Sequence, residues 1–69
     1  MNSKIILNEI NLILADEQIH YFQEIVSIIS SKYPHYNFSK NQIHYQLNKM
    51  IKTEQCKRIC VGLYKKMPS

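Results

Sequence analysis

Apolar residues recur along the chain in two different periods, and the change of period divides it. Over residues 3–14, Ile6, Ile10, Ile13 and Leu14 fall on one face at helical spacing. Ile5, Leu7 and Leu12 widen that stripe beyond the usual amphipathic width. A helix this apolar is expected to lie beneath the rest of the domain or to pack on a second copy. Ile19, Phe22, Ile25, Val26 and Ile29 repeat the helical spacing. Asp16 is the expected N-cap of that second helix, with Glu17 favourable near its positive end. A short strand over residues 18–20 is the alternative, and the pattern does not separate the two. The helix must stop by Tyr33, because Pro34 disfavours the α conformation in the residue before it.

Pro34, His35, Tyr36, Asn37 and Phe38 read as a turn with aromatic anchors. The clearest local signal follows. Ser39-Lys40-Asn41-Gln42 matches a capping box, in which the Ser hydroxyl accepts from the Gln42 N–H and the Gln side chain reaches back to Ser39. Phe38 before the cap and Ile43 after it match the hydrophobic staple. The helix that starts here buries Ile43, Leu47, Met50 and Ile51 and runs to about Lys52 or Thr53. From Gln55 the period becomes two: Lys57, Ile59 and Val61 alternate with Cys56, Arg58 and Cys60. Gly62 interrupts, and Leu63-Tyr64-Lys65-Lys66 resumes. The pattern predicts a β-hairpin turning near Val61 and Gly62, with Gly62 absorbing the reversal because Val resists a positive φ.

Length changes the picture next. The chain has 69 residues, one small domain spanning 1–69. A core of that size leaves little room for a deep pocket with several buried polar groups, so no enzyme is expected. No apolar run approaches the ~18 residues of a membrane span. The opening Met1-Asn2-Ser3-Lys4 lacks the clean apolar segment and cleavage site of a signal peptide, so an intracellular location is expected.

The net charge is +4, and it is unevenly placed. Up to Lys32, Lys4 and Lys32 stand against Glu9, Asp16, Glu17 and Glu24. From Tyr33 onward, Lys40, Lys49, Lys52, Lys57, Arg58, Lys65 and Lys66 stand against Glu54 alone. A basic half on a compact domain is the footprint of a polyanion partner, most often nucleic acid.

Helix, helix, turn, capped helix and basic hairpin is an order that resembles the winged helix-turn-helix proteins, over residues 22–66. The residues that carry the likeness are Ile43-x3-Leu47-x2-Met50-Ile51, Gln55-Cys56-Lys57-Arg58-Ile59 and Gly62-Leu63-Tyr64-Lys65. They are similar to the recognition helix, basic strand and Gly-aromatic-basic strand of small winged-helix regulators. Lys32-Tyr33-Pro34-His35-Tyr36 also resembles the loop of forkhead and linker-histone winged helices. The resemblance implies a mainly α fold, three helices plus a C-terminal β-hairpin wing, that binds double-stranded DNA.

With that resemblance, helical geometry selects a reading face. At ~100° per residue, Asn41, Tyr45, Asn48 and Lys52 lie opposite the buried stripe, flanked by Gln42 and Lys49. Asn and Gln can bond adenine bidentately, Lys can reach guanine or phosphate, and Tyr offers a hydroxyl and a ring. Lys40 at the capped N-terminus is placed for phosphate, and His44 lies at the edge of the face. Lys57, Arg58, Lys65 and Lys66 put charge on the wing, for the DNA backbone or the minor groove. Tyr64 is expected inside, between hairpin and helices.

Other chemistry is thin. Cys56 and Cys60, four apart in a strand, are ~13 Å apart and beyond disulfide reach, and their spacing to His35 or His44 matches no common zinc framework. They are expected as small buried hydrophobes. His20, His35 and His44 are read as surface or boundary residues, and Glu24 as facing solvent. No metal, cofactor or small-molecule substrate is expected. The expectation is a sequence-specific DNA-binding protein, a small regulator of transcription or of a mobile element. The helix from Ile5 to Leu14 is the candidate homodimer surface. The second reading is a winged-helix protein-interaction module within a larger assembly.

Overall fold

The computed structural model describes residues 2–67. Three helices and three strands follow in the order α1 (Asn2–Leu14), β1 (His20–Tyr21), α2 (Phe22–Lys32), α3 (Lys40–Lys52), β2 (Cys56–Cys60) and β3 (Leu63–Lys66). The sheet is antiparallel with order β1-β3-β2, so the last strand is its centre.

Local devices set most of the boundaries. The capping box at α3 forms: Gln42 N–H donates to Ser39 Oγ at 3.2 Å, and Ser39 N–H donates to Gln42 Oε1 at 3.0 Å. At the other end of α3, Glu54 N–H donates to the Ile51 carbonyl and Gln55 N–H to the Met50 carbonyl. These are the two bonds of a Schellman motif, with Glu54 at φ +60° in the position glycine usually holds. α2 stops at Tyr33, directly before Pro34, and the Tyr33 N–H still donates to the Ile29 carbonyl.

The second helix begins later than its apolar spacing suggests. Ile19 is not helical; residues 20 and 21 form β1 instead, and α2 starts at Phe22. Asp16 is therefore not an N-cap. Its Oδ1 accepts from the Gln18 N–H at 2.9 Å, closing a local turn after α1. The N-cap is Tyr21, and Glu24 supplies the capping carboxylate by accepting from the Tyr21 N–H at 3.4 Å. Pairing across the chain decided this outcome. His20 opposes Tyr64 and Tyr21 opposes Leu63, so a partner more than forty residues away holds residues 20 and 21 extended.

The core takes one stripe from each helix: Ile6, Ile10 and Leu14 of α1, Ile25 and Ile29 of α2, and Ile43, Leu47 and Met50 of α3. Cys56 and Tyr64 close it from the sheet, and Tyr64 is 1% exposed, inside as expected. The main stripe of α1 is thus buried within its own domain, with Leu7 and Ile13 packed at the margin and Leu12 left exposed.

β2 and β3 pair as Cys56–Lys66, Lys57–Lys65, Arg58–Tyr64 and Cys60–Leu63, so Ile59 is an extra residue, a β-bulge. The turn residues are Val61 and Gly62, and Gly62 takes φ +81° while Val61 does not turn positive. A turn of that sense splays a hairpin, and the neighbouring bulge takes up the mismatch. The bulge also breaks the simple alternation read from sequence. Cys56 faces the core, whereas Cys60 shares the outer side with Leu63 and is exposed. Only one of the two cysteines is a buried hydrophobe.

Candidate nucleic-acid interface

α3 presents its apolar side, Ile43, Leu47 and Met50, to the core. The opposite side, Asn41, Tyr45, Asn48, Lys49 and Lys52, is exposed together with Lys40 and His44. Tyr45, Asn48, Lys49, Ile51 and Lys52 border an open groove of about 450 Å³. A second groove of about 400 Å³ lies between the end of α3 and β2, lined by Ile51, Glu54, Cys56, Lys57, Arg58 and Met67. Ile51 belongs to both, so the polar side of α3 and the basic strand β2 adjoin there.

Two of the predicted readers are already engaged. Gln42 accepts from Ser39 N–H in the capping box, which ties its carbonyl oxygen back to the start of α3 and leaves its amide N–H donors and one lone pair for a ligand. His44 packs against Phe22, with ring centroids 4.9 Å apart at 52°. That contact is one side of a chain that locates the hairpin tip, because the Phe22 N–H donates to the Gly62 carbonyl at 2.8 Å. At the other end of the hairpin, Cys56 Sγ approaches the Leu47 carbonyl at 3.8 Å. The hairpin therefore lies along the flank of α3, its tip toward the N-terminal half of that helix.

On the hairpin, Lys57, Arg58 and Lys66 are exposed and Lys65 is half-buried. Lys57 and Lys65 oppose each other directly on the outer side. Like charges so placed repel, and an anion laid across them relieves the repulsion. Arg58 opposes Tyr64 on the inner side. Burial pushes the Tyr64 phenol up, while the nearby Arg58 charge acts against that rise.

Three of the five carboxylates are occupied elsewhere, while Glu54 lines the groove beside Lys57 and Arg58. Glu9 is buried on α1 and accepts from Lys32 Nζ at 3.0 Å and from the Tyr33 hydroxyl at 2.8 Å. Burial raises the Glu9 carboxyl, but these two donors and the Lys32 charge outweigh it and hold the group below its ordinary value. Asp16 and Glu24 flank His20: Nε2 lies 2.9 Å from Asp16 Oδ1, and Nδ1 lies 2.7 Å from Glu24 Oε2. Among the described residues, none of Lys40, Lys49, Lys52, Lys57, Arg58, Lys65 or Lys66 has an ion-pair partner within the domain.

Sequence reasoning missed the histidine cluster and the Glu9 cluster. His20 is buried, not a surface or boundary residue, and Glu24 is half-buried against it. The spacing Asp16-x3-His20-x3-Glu24 was a readable signal for this grouping. Glu9 had only a weaker one, a carboxylate set among Ile6, Ile10 and Ile13, where a buried charge requires a partner. Among the described residues no three His, Cys, Asp or Glu side chains gather to hold a metal, and no helix is long and apolar enough to cross a membrane. Compared with protein-family models, curated proteins and solved structures, the chain matches none of them.

Proposed function

We propose that this chain is a winged helix-turn-helix domain that binds double-stranded DNA in a sequence-dependent manner and acts without catalysis as a small regulator of transcription or of a mobile element. α3 enters the major groove, where Asn48 and Tyr45 meet base edges and Lys49 and Lys52 meet guanine or phosphate. Lys40, Lys57, Arg58, Lys65 and Lys66 hold the flanking phosphates. The element order and the β1-β3-β2 sheet support the winged-helix reading. The observation that carries the DNA reading is the outer side of α3: exposed amides, a tyrosine and lysines, bordered by unpaired hairpin cations.

The test is titration of a fluorescent random-sequence duplex pool across salt, followed by selection and sequencing. We expect log affinity to fall linearly with log salt, by about 0.9 for every phosphate neutralised. Lys57→Ala then flattens that slope by about 0.9 and weakens all duplexes alike. Asn48→Ala costs about 1–3 kcal/mol on the selected sequence and relaxes one position of the consensus. A two-fold symmetric consensus identifies a homodimer as the binding unit. Ile19 and Tyr21 are exposed beside the basic sheet, which favours the protein-interaction module as the second reading. A failure to bind any duplex at low salt rejects the DNA reading in its favour.

A further inference from the structure

The hairpin tip carries apolar residues that the fold leaves exposed, one almost wholly and one in part. Val61 is 90% exposed and Ile59 is 41% exposed. Val61 occupies a turn position where proline or a small polar residue is the common choice, and its side chain stabilises nothing in the domain. Ile59 is the bulge residue, and a bulge re-aims the side chain it carries.

The tip is held in place. The Gly62 carbonyl accepts from the Phe22 N–H, and Leu63 pairs with Tyr21 in β1. Phe22 in turn packs on His44 of α3. Two apolar side chains therefore project from a braced turn beside the helix proposed to read DNA, with Lys57, Arg58 and Lys65 behind them on the same hairpin.

Their chemistry selects a target. Val61 and Ile59 make no hydrogen bonds to phosphate, so backbone clamping does not explain them. A protein partner would have to cover Ile19 and Tyr21 as well, which are exposed on and next to β1. The surrounding cations favour a polyanion instead. An α-helix with its side chains is about 10–12 Å across and the major groove about 12 Å wide, so a helix seated there fills it. An element flanking such a helix meets the phosphate ridge and then the minor groove. Apolar side chains that enter the minor groove wedge between base steps and kink the duplex.

We propose that Val61 and Ile59 form an apolar wedge that enters the minor groove next to the α3 site and bends the DNA. The proposal rests on the DNA-binding reading above and adds a mode of contact to it. The lysines and Arg58 hold the two phosphate ridges, and the wedge opens one base step between them. Flexible pyrimidine–purine steps such as TA are the preferred point of entry, because they unstack most easily.

The experiment uses the full chain and a duplex of about 30 base pairs with a central TA step, labelled at both ends for energy transfer. Wild-type protein at low salt is expected to bring the ends together by a bend of about 20° or more. Val61→Ser, and Val61→Ser with Ile59→Ser, are expected to lose most of that bend and to bind about tenfold more weakly. Their salt slope stays at the wild-type value, because no phosphate contact is removed. Val61→Ile, which keeps both the apolar side chain and the backbone preference of Val, retains the bend. Thermal melts check that the variants stay folded, as the exposure of Val61 implies. Wild-type binding without bending, or variants that bend the duplex like wild type, overturn the wedge and leave the DNA reading standing. If the wild-type protein binds no duplex at all, both fall together.

Discussion

Titrating the His20 cluster should give the domain a stability that declines as pH rises past neutrality. The imidazole is 11% exposed at the side chain, with a carboxylate on each ring nitrogen: Glu24 at 2.7 Å from Nδ1 and Asp16 at 2.9 Å from Nε2. Only the imidazolium can donate from both nitrogens at once. Burial lowers the pKa of His20, but the bonds and charges of Asp16 and Glu24 outweigh that and raise it above the ordinary histidine value. The folded protein thus keeps a proton that the unfolded chain releases near pH 6.5. The stabilisation is complete below about pH 6.5 and is lost as pH rises through the higher folded value. Within that window one proton separates the two states, so stability falls by at most about 1.4 kcal/mol per pH unit. For a domain whose core supplies only about 3–5 kcal/mol, that slope is large. Urea denaturation followed by circular dichroism from pH 5 to pH 9 reads it directly. His20→Gln should be less stable at pH 6 and lose the slope. A wild-type stability that is flat or rising above pH 6.5, or a His20→Gln protein that keeps the decline, refutes the assignment. On the acid side the sign reverses. Glu9 and Asp16 are both held below their ordinary values, so their contribution is present above the unfolded carboxylate range and disappears as pH falls through the folded values.

Three further outcomes are expected. Glu54→Gly should stabilise the domain by about 1 kcal/mol in urea melts, since φ +60° at the end of α3 suits glycine and strains Glu. Gly62→Ala should cost about 1 kcal/mol through its φ of +81° alone, because the added Cβ meets nothing within 4 Å; an unchanged melt contradicts this. Leu47→Ala, at the centre of the α3 stripe, should cost about 2–5 kcal/mol and leave much of the population unfolded at 25 °C, read as loss of the cooperative transition.

Much of α3 was legible because its determinants lie within five residues of each other. Ser39 and Gln42 cap it, and Phe38 precedes it. The same locality made the polar outer side of α3 legible, since burial of Ile43, Leu47 and Met50 forces Asn41, Tyr45, Asn48 and Lys52 outward. The hairpin turn was legible from Gly62. Gln42 shows the limit of this reasoning: one residue belongs to both the capping pattern and the proposed reading face, and the cap ties its side chain back to Ser39.

The sequence alone therefore determined the helix stripes, the capped start of α3, the stop at Pro34 and the concentration of positive charge after residue 32. These follow from spacing, backbone stereochemistry and composition, which act over one or two turns. Only the tertiary structure decided that residues 20 and 21 are a strand, because their partners Leu63 and Tyr64 arrive from the far end of the chain. It alone set the bulge at Ile59 that separates the sides of Cys56 and Cys60. It also joined Glu9 to Lys32 and Tyr33, and it closed Asp16 and Glu24 around His20 by bending the chain between α1 and α2. Those features depend on which surfaces meet when the helices collapse onto the sheet. That meeting buries Glu9 and His20, and burial requires a partner for each charge.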